Sequence, residues 1–167
     1  MPLIERLKGL AWWFTRLFFF RPSYLLGNQW RCMLLRIFGA TIGTDVRIES
    51  SVVIDFPWNL RIGDSTIITR GVILNCMGLI KIGSRVRISQ YAHLCAGTHR
   101  YERHDMLIER SPISISDEVW IAADSFVGPG VTIGQGSVLA ARASAFGNLK
   151  PGFVYLGEPA RPYKPRL

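Results

Sequence analysis

Three histidines, His93, His99 and His104, are the residues of this sequence that are best suited to chemistry. An imidazole ring takes up and releases a proton near neutral pH because its ordinary pKa is about 6.5. His99 stands in a Gly-Thr-His sequence directly before a charged tract, and His104 lies within that tract. The three side chains therefore indicate proton transfer, provided that the fold brings one of them to a substrate.

Aliphatic residues recur at every sixth position through the middle of the chain. A period of six is too long for strand alternation and does not fit a helix, but it fits a short strand and a corner, repeated. Fourteen of fifteen such positions are Ile, Leu or Val. The positions are Ile42, Ile48, Ile54, Ile62, Ile68, Leu74, Ile82, Ile88, Leu94, Ile115, Ile121, Val127, Ile133, Leu139 and Ala145.

Three hexads make one triangular coil of a parallel β-helix, in which each aliphatic side chain points into a shared prism. The triplets predict about five coils over residues 41–150, with the charged tract 100–114 leaving the prism as a loop. A glycine follows the aliphatic residue in several hexads, as at Gly43, Gly63 and Gly83. We expect these corners to require a positive φ, which glycine tolerates.

The composition fits one folded domain. The 167 residues are 49% hydrophobic, which is enough for a core. The net charge is +8, but residues 41–149 are neutral, so the chain lacks the basic stripe of a nucleic-acid binder. Three cysteines are too few for a disulfide framework or a paired metal site and are typical of a reducing compartment. They are Cys32, Cys76 and Cys95.

The excess positive charge lies at the two ends. Residues 1–40 have helical spacing of apolar residues with interleaved Arg and Lys, and their apolar run is too short to span a membrane. Two interpretations remain open: a helical cap over the first coil, or an interfacial contact with a membrane. Residues 151–167 are expected to form a basic C-terminal tail.

Several segments besides the hexads carry a family resemblance. They are FPWNLRIGD at 56–64, RISQYAHLCAGTHRY at 87–101, ISISDEVWIAADSFVGPGVTIGQGSVLAA at 113–141 and GEPARPYK at 157–164. Together they resemble the hexapeptide-repeat acyltransferases, in the branch that O-acetylates sugars in colanic-acid-type exopolysaccharide biosynthesis. The resemblance implies an all-β solenoid, a left-handed parallel β-helix, in a homotrimer with active sites between subunits.

The resemblance also implies the reaction and its partners. Acetyl-CoA would be the co-substrate, without a metal, and the acceptor would be a hydroxyl of a sugar or a lipid-linked oligosaccharide. A cytoplasmic location follows, with peripheral contact at the inner face of the membrane left open. His99 matches the catalytic histidine and would act as general base. Asn75 would contact the acceptor, and His93 and His104 are structural or line the substrate site.

The donor site is implied in the same way. Ala123 and Ala141 would lie beside the pantetheine arm, where a small side chain lets the backbone approach. Arg161 and Lys164 would pair with the adenosine phosphates, since both side chains bind phosphate. Relatives often have a Thr-Lys pair where this chain has Phe146-Gly147, so the resemblance implies no donor contact at those two positions. Cys95 is expected to be a small buried thiol rather than a nucleophile.

Two alternatives oppose this interpretation. His99 and His104 have the H-x4-H spacing of zinc ligands in a γ-class carbonic anhydrase, but residues 62–70 hold no third histidine, and two ligands do not hold a catalytic zinc. A non-enzymatic β-helix scaffold would leave the Gly-Thr-His sequence, the loop and the basic tail unexplained. Acetyl-CoA binding separates the scaffold from the enzyme.

Overall fold

The protein is a prism of stacked triangular coils, each built from three short strands. The computed structural model describes residues 3–23, 27–100 and 102–166. The first three coils are β1 (Thr41–Ile42), β2 (Arg47–Ile48), β3 (Val53–Asp55), β4 (Leu60–Ile62), β5 (Ile67–Ile68), β6 (Ile73–Asn75), β7 (Ile80–Ile82), β8 (Arg87–Ile88) and β9 (His93–Cys95). The chain then leaves the prism in a hairpin of β10 (Gly97–His99) and β11 (Ile108–Arg110).

The stack resumes after this hairpin and continues to the C-terminus. Its strands are β12 (Ile113–Ile115), β13 (Trp120–Ile121), β14 (Phe126–Val127), β15 (Thr132–Ile133), β16 (Val138–Leu139), β17 (Ser144–Ala145), β18 (Phe153–Leu156) and β19 (Arg161–Pro165). The excursion is therefore narrower than the predicted loop 100–114 at its C-terminal end, because Ile113 and Ser114 already belong to the prism.

Equivalent strands of successive coils pair in parallel and form the three faces of the prism. The first face is β1-β4-β7-β12-β15, the second is β2-β5-β8-β13-β16-β18-β19, and the third is β3-β6-β9-β14-β17. Ile42 pairs with Ile62, and Ile62 with Ile82, so the hexad residues stack one coil apart. Their side chains are buried and form one continuous core. The predicted β-helix is confirmed.

The stack is longer than the five predicted coils. Leu149 forms a parallel bridge with Ile133, and β18 pairs in parallel with β16, which adds a partial sixth coil. The strand β19 then folds back antiparallel to β18. Most of the basic C-terminal segment is thus a β-hairpin on the second face.

The corners use glycine for a different reason than the one expected. At one corner of successive coils, the residues with a positive φ are Asp45, Ser65, Arg85 and Glu118. The glycines that follow the aliphatic residues do not have a positive φ. A Cβ on Gly63 would lie 2.7 Å from the carbonyl carbon of Gly83. The expectation of a positive φ was wrong: these glycines allow the backbones of neighbouring coils to approach closely.

Two N-terminal helices cover the first coil. α1 (Leu3–Thr15) continues as a π-helical turn over Arg16–Phe20, and α2 is Gly27–Ile37. The indole Nε1–H of Trp12 donates to the carbonyl of Ile54 (2.7 Å), and Nε–H of Arg31 donates to that of Ile48 (2.7 Å). None of the helices in the described part of the chain is both long and apolar enough to cross a membrane. Part of the predicted 1–40 segment, residues 1–2 and 24–26, lies outside the described residues.

Candidate active site

His99 ends β10, at the corner where the third coil gives way to the hairpin. Its side chain is exposed, and its Nδ1 lies 2.6 Å from the carbonyl oxygen of Met106. A carbonyl oxygen only accepts, so Nδ1 carries the proton of the neutral ring and Nε2 holds the free lone pair. The pairing of His99 with Ile108 across the hairpin keeps Met106 beside the ring. His99 is thus prepared to accept a proton at Nε2.

A cavity of about 570 Å³ opens beside His99. Trp58, Met77 and Ile108 give it mainly apolar walls. The hairpin that forms one side is joined to α1 by an ion pair between Arg110 and Glu5 (3.2 Å). The volume of the cavity lies within the range of small-molecule binding sites.

Asn75 and His93 lie on the outer side of the third face, on the adjacent strands β6 and β9. Asn75 pairs with Cys95, and His93 pairs with Ile73. The Oδ1 atom of Asn75 and the Nε2 atom of His93 are buried without a hydrogen-bond partner in the described part of the chain. Buried polar atoms without partners are rare in proteins, so this pair marks the third face as a candidate ligand surface.

Burial lowers the pKa of His93, and the nearby Asp55 carboxylate opposes this shift. The ring is therefore neutral at pH 7, where Nε2 can accept or donate one hydrogen bond according to its tautomer. Phe126 packs edge-on against it, with the ring centroids 5.5 Å apart.

Asp55 is a polar residue of this face that the sequence analysis missed. It pairs with Asn75 one coil away, and its carboxylate lies 3.8 Å from the guanidinium of Arg16. The spacing of 20 residues between Asp55, Asn75 and Cys95 was the available signal, because coils of that length place such residues in one row. Met106 was also missed, since its contact depends on the turn of the hairpin.

The structure does not bring every predicted residue to this site. His104 is exposed on the turn of the hairpin and does not line the cavity beside His99, whose described lining includes Asp105 and Met106 instead. Cys95 was expected to be buried but is half-buried on the outer side, because it alternates with the inward Leu94; its Sγ–H donates to the carbonyl of Gly97 (3.2 Å). Tyr101, the last residue of the Gly-Thr-His motif segment, lies outside the described residues.

Ala123 and Ala141 occupy equivalent corners of the fourth and fifth coils. The backbone N–H of Arg142 donates to the carbonyl of Ala123 (3.0 Å), which joins the two corners. Ala123 is half-buried and Ala141 is exposed, so neither side chain obstructs the surface along this edge.

Arg161 lines a second cavity, of about 550 Å³, at the C-terminal end of the prism. Phe146 and Gly147 form part of the same cavity. Lys164 is exposed on β19, next to Tyr163, and is not part of the described lining. The structure therefore brings Arg161 into a concave site and leaves Lys164 on the neighbouring surface.

The two predicted half-sites lie on opposite edges of the third face. His99 follows β9 at the edge shared with the first face, whereas Ala123 and Ala141 follow β13 and β16 at the edge shared with the second face. Within the described residues, no group of three or more His, Cys, Asp or Glu side chains is placed to hold a metal ion.

Known proteins resemble this chain over nearly its whole length. No protein-family model matches it. WcaF of Escherichia coli K12, named as a colanic acid biosynthesis acetyltransferase, is 42% identical over 154 residues, which cover 92% of this chain and 85% of WcaF. A hexapeptide-repeat acetyltransferase of Vibrio cholerae, solved with acetyl-CoA, has a TM-score of 0.85 at 26% identity and covers 98% of this chain and 88% of its own.

A galactoside acetyltransferase solved with coenzyme A has a TM-score of 0.91 at 25% identity, covering 100% of this chain and 84% of its own. A triangular β-helix with these relatives is an acyltransferase. The chain belongs to the hexapeptide-repeat acyltransferase family, in its sugar O-acetyltransferase branch. It is a CoA-dependent acetyltransferase with acetyl-CoA as co-substrate, and its prism is the left-handed β-helix of the family.

Proposed function

We propose that the enzyme transfers an acetyl group from acetyl-CoA to a hydroxyl of a sugar in polysaccharide or glycoconjugate biosynthesis. The similarity to WcaF supports this class of acceptor. The mechanism depends on one observation, the 2.6 Å contact between Nδ1 of His99 and the carbonyl oxygen of Met106. This contact leaves Nε2 free to act as the general base.

The acceptor hydroxyl attacks the carbonyl carbon of the thioester while Nε2 of His99 takes its proton. The tetrahedral adduct collapses with cleavage of the carbon–sulfur bond, and the acetyl group stays on the sugar oxygen. The CoA thiolate then takes the proton from the imidazolium, so CoA leaves as the free thiol and His99 is neutral again. A positioned base of this kind typically contributes about 10² to 10⁴ in rate. No acyl-cysteine forms, and Cys95 is not required.

We assign the acceptor contacts to the third face. The unpartnered Oδ1 of Asn75 would accept a hydrogen bond from a sugar hydroxyl, and Nε2 of His93 would bind a second polar group. His104, on the turn of the hairpin, would contact the acceptor only beyond the cavity. Asp55, in the row of Asn75, adds a carboxylate that can accept from a further hydroxyl.

We assign the donor to the edge marked by Ala123 and Ala141. The small side chains let the pantetheine arm lie along the prism, and Arg161 and Lys164 would bind the phosphates of CoA. The edge with Ala123 and Ala141 and the edge with His99 lie on opposite sides of the third face. A donor bound beside the two alanines therefore meets the His99 of a neighbouring copy more readily than the His99 of the same chain. We therefore propose a homotrimer with active sites between subunits.

A cytoplasmic location is proposed as well, because acetyl-CoA is a cytoplasmic metabolite, with the enzyme held peripherally at the inner face of the membrane. The function is tested by incubating the purified enzyme with acetyl-CoA and nucleotide-sugars, oligosaccharides and lipid-linked sugars. Release of CoA thiol and a product heavier by one acetyl group are expected with at least one acceptor. Binding of stoichiometric zinc, or thiol release that never yields an acetylated sugar, would contradict the proposal.

A further inference from the structure

The N-terminal helical segment carries an apolar stripe that faces away from the prism. Trp12 and Phe20 are buried on the side that packs on the first coil. The remaining large apolar side chains are each at least 43% exposed, which is unusual for a contiguous patch on a protein surface. They are Leu3, Ile4, Leu7, Leu10, Trp13, Phe14, Leu17, Phe18 and Phe19.

Uncompensated positive charge accompanies this stripe. Arg6, Lys8 and Arg21 are exposed, and within the described part of the chain no carboxylate lies within 4.0 Å of them. The acidic residue of the helix, Glu5, is already paired with Arg110. Anionic lipid headgroups complement these charges, whereas two stripes packed face to face would bring like charges together. Aromatic and basic residues on one helix are the composition of an interfacial membrane helix.

The stripe borders a cavity that lies next to the one beside His99. A cavity of about 580 Å³ is lined by Arg6, Leu10 and Trp13 of α1 together with Asp55 and Phe56 of the prism. Phe56 also lines the cavity beside His99. The two cavities therefore adjoin at Phe56, one beside the exposed face of α1 and the other beside His99, and together they are called the groove below.

We propose that the apolar stripe docks on an anionic membrane surface and that the groove receives an acceptor sugar carried on a lipid in that membrane. The docking half stands independently, whereas the acceptor half rests on the proposed sugar acetyltransferase function. The apolar walls of the groove suit the lipid, and Arg6 in its lining offers a guanidinium that can pair with an anionic linkage between lipid and sugar.

Docking is tested by flotation of the full-length protein with vesicles of phosphatidylcholine, with and without phosphatidylglycerol. The wild type should float with the anionic vesicles, and raised salt should weaken its binding. The variant L7S/F14S/F18S removes three side chains of the stripe that do not line the groove, and the variant K8E/R21E reverses its charge. Each should lower the vesicle partition coefficient by about tenfold or more.

The matched control is R61E/K81E, which reverses two exposed charges on the outer side of the first face and should float like the wild type. A wild type that stays at the bottom of the gradient would overturn the docking proposal, as would an L7S/F14S/F18S variant that floats equally well. Light scattering adds a further check. If the stripe covers another copy instead of a membrane, L7S/F14S/F18S should have a different oligomer mass from the wild type, and the wild type should not bind vesicles. That pair of results would show that the docking proposal is wrong.

The acceptor half is tested with a sugar on a polyprenyl diphosphate in phosphatidylglycerol vesicles, compared with a water-soluble sugar. L7S/F14S/F18S should keep wild-type turnover on the soluble sugar and lose about tenfold or more on the lipid-linked sugar. If neither sugar is acetylated, the proposed function fails while the flotation result stands. If the soluble sugar is acetylated and both proteins use the lipid-linked sugar equally, the membrane acceptor proposal fails alone.

Discussion

Replacement of His99 by asparagine separates the proposed proton-accepting role of this side chain from its hydrogen bond to the hairpin. The amide Nδ2–H of an asparagine can replace Nδ1–H as the donor to the carbonyl of Met106, but the amide has no basic nitrogen where Nε2 lies. His99→Asn should therefore retain the hairpin and lose the base. His99→Ala loses both the base and the hydrogen bond.

The expected loss follows from this geometry. Removal of a positioned general base lowers kcat by about 10² to 10⁴, which corresponds to about 3 to 5 kcal/mol of transition-state stabilisation. The hydrogen bond to Met106 involves an exposed ring, so its loss in His99→Ala should cost the fold no more than about 0.5 to 1.5 kcal/mol. Both variants should therefore remain folded, with nearly equal losses of turnover.

The assay is steady-state release of CoA thiol with a sugar acceptor that the wild type uses. Thermal unfolding and binding of CoA by calorimetry serve as controls and should be close to wild type for both variants. Turnover of His99→Asn within about tenfold of the wild type would refute the assignment of the base. Loss of CoA binding together with turnover would instead show that the histidine supports the fold of the donor site.

Three further predictions concern the face, the core and the donor site. Burial lowers the pKa of His93, so the free energy of unfolding should fall as the pH drops below about 6.5, where the ring of the unfolded chain gains a proton. His93→Gln should weaken this pH dependence, as measured by thermal unfolding. Gly63→Ala places a Cβ 2.7 Å from the carbonyl carbon of Gly83 and should destabilise the fold by about 1 to 3 kcal/mol in denaturant titration, whereas the control Gly147→Ala, with nothing within 4 Å, should not. Arg161→Ala should raise KM for acetyl-CoA by about tenfold with kcat nearly unchanged; unchanged KM would place the CoA phosphates elsewhere.

The role of the corner glycines shows where reading the sequence reached its limit. The six-residue period identifies the corners correctly, and the frequent glycines there suggest a conformational requirement. In the structure, the corner residues with positive φ include Asp45, Ser65 and Arg85, while Gly63 meets the backbone of the next coil. A backbone preference is a property of one residue, whereas the distance between coils is set by the packing of the whole stack.

The Cys95 side chain illustrates the same limit on the third face. Its neighbour Leu94 was correctly placed in the core by the hexad, but the strand alternation turns the next side chain outward. That alternation also aligns Cys95 with Asn75 and Asp55 across three coils, a row that only the coil length of 20 residues predicts.

The amino-acid sequence by itself determined the prism and the edge on which His99 lies, because the inward side chain of each short strand is set by a local, repeated spacing. The tertiary structure decided which nitrogen of His99 is free, through a contact with Met106 that depends on the hairpin register. It also decided that Asn75 and His93 keep unpartnered polar atoms. These features depend on the turn of the hairpin and on the stacking of successive coils, and the six-residue spacing specifies neither the turn nor the contacts between outward side chains.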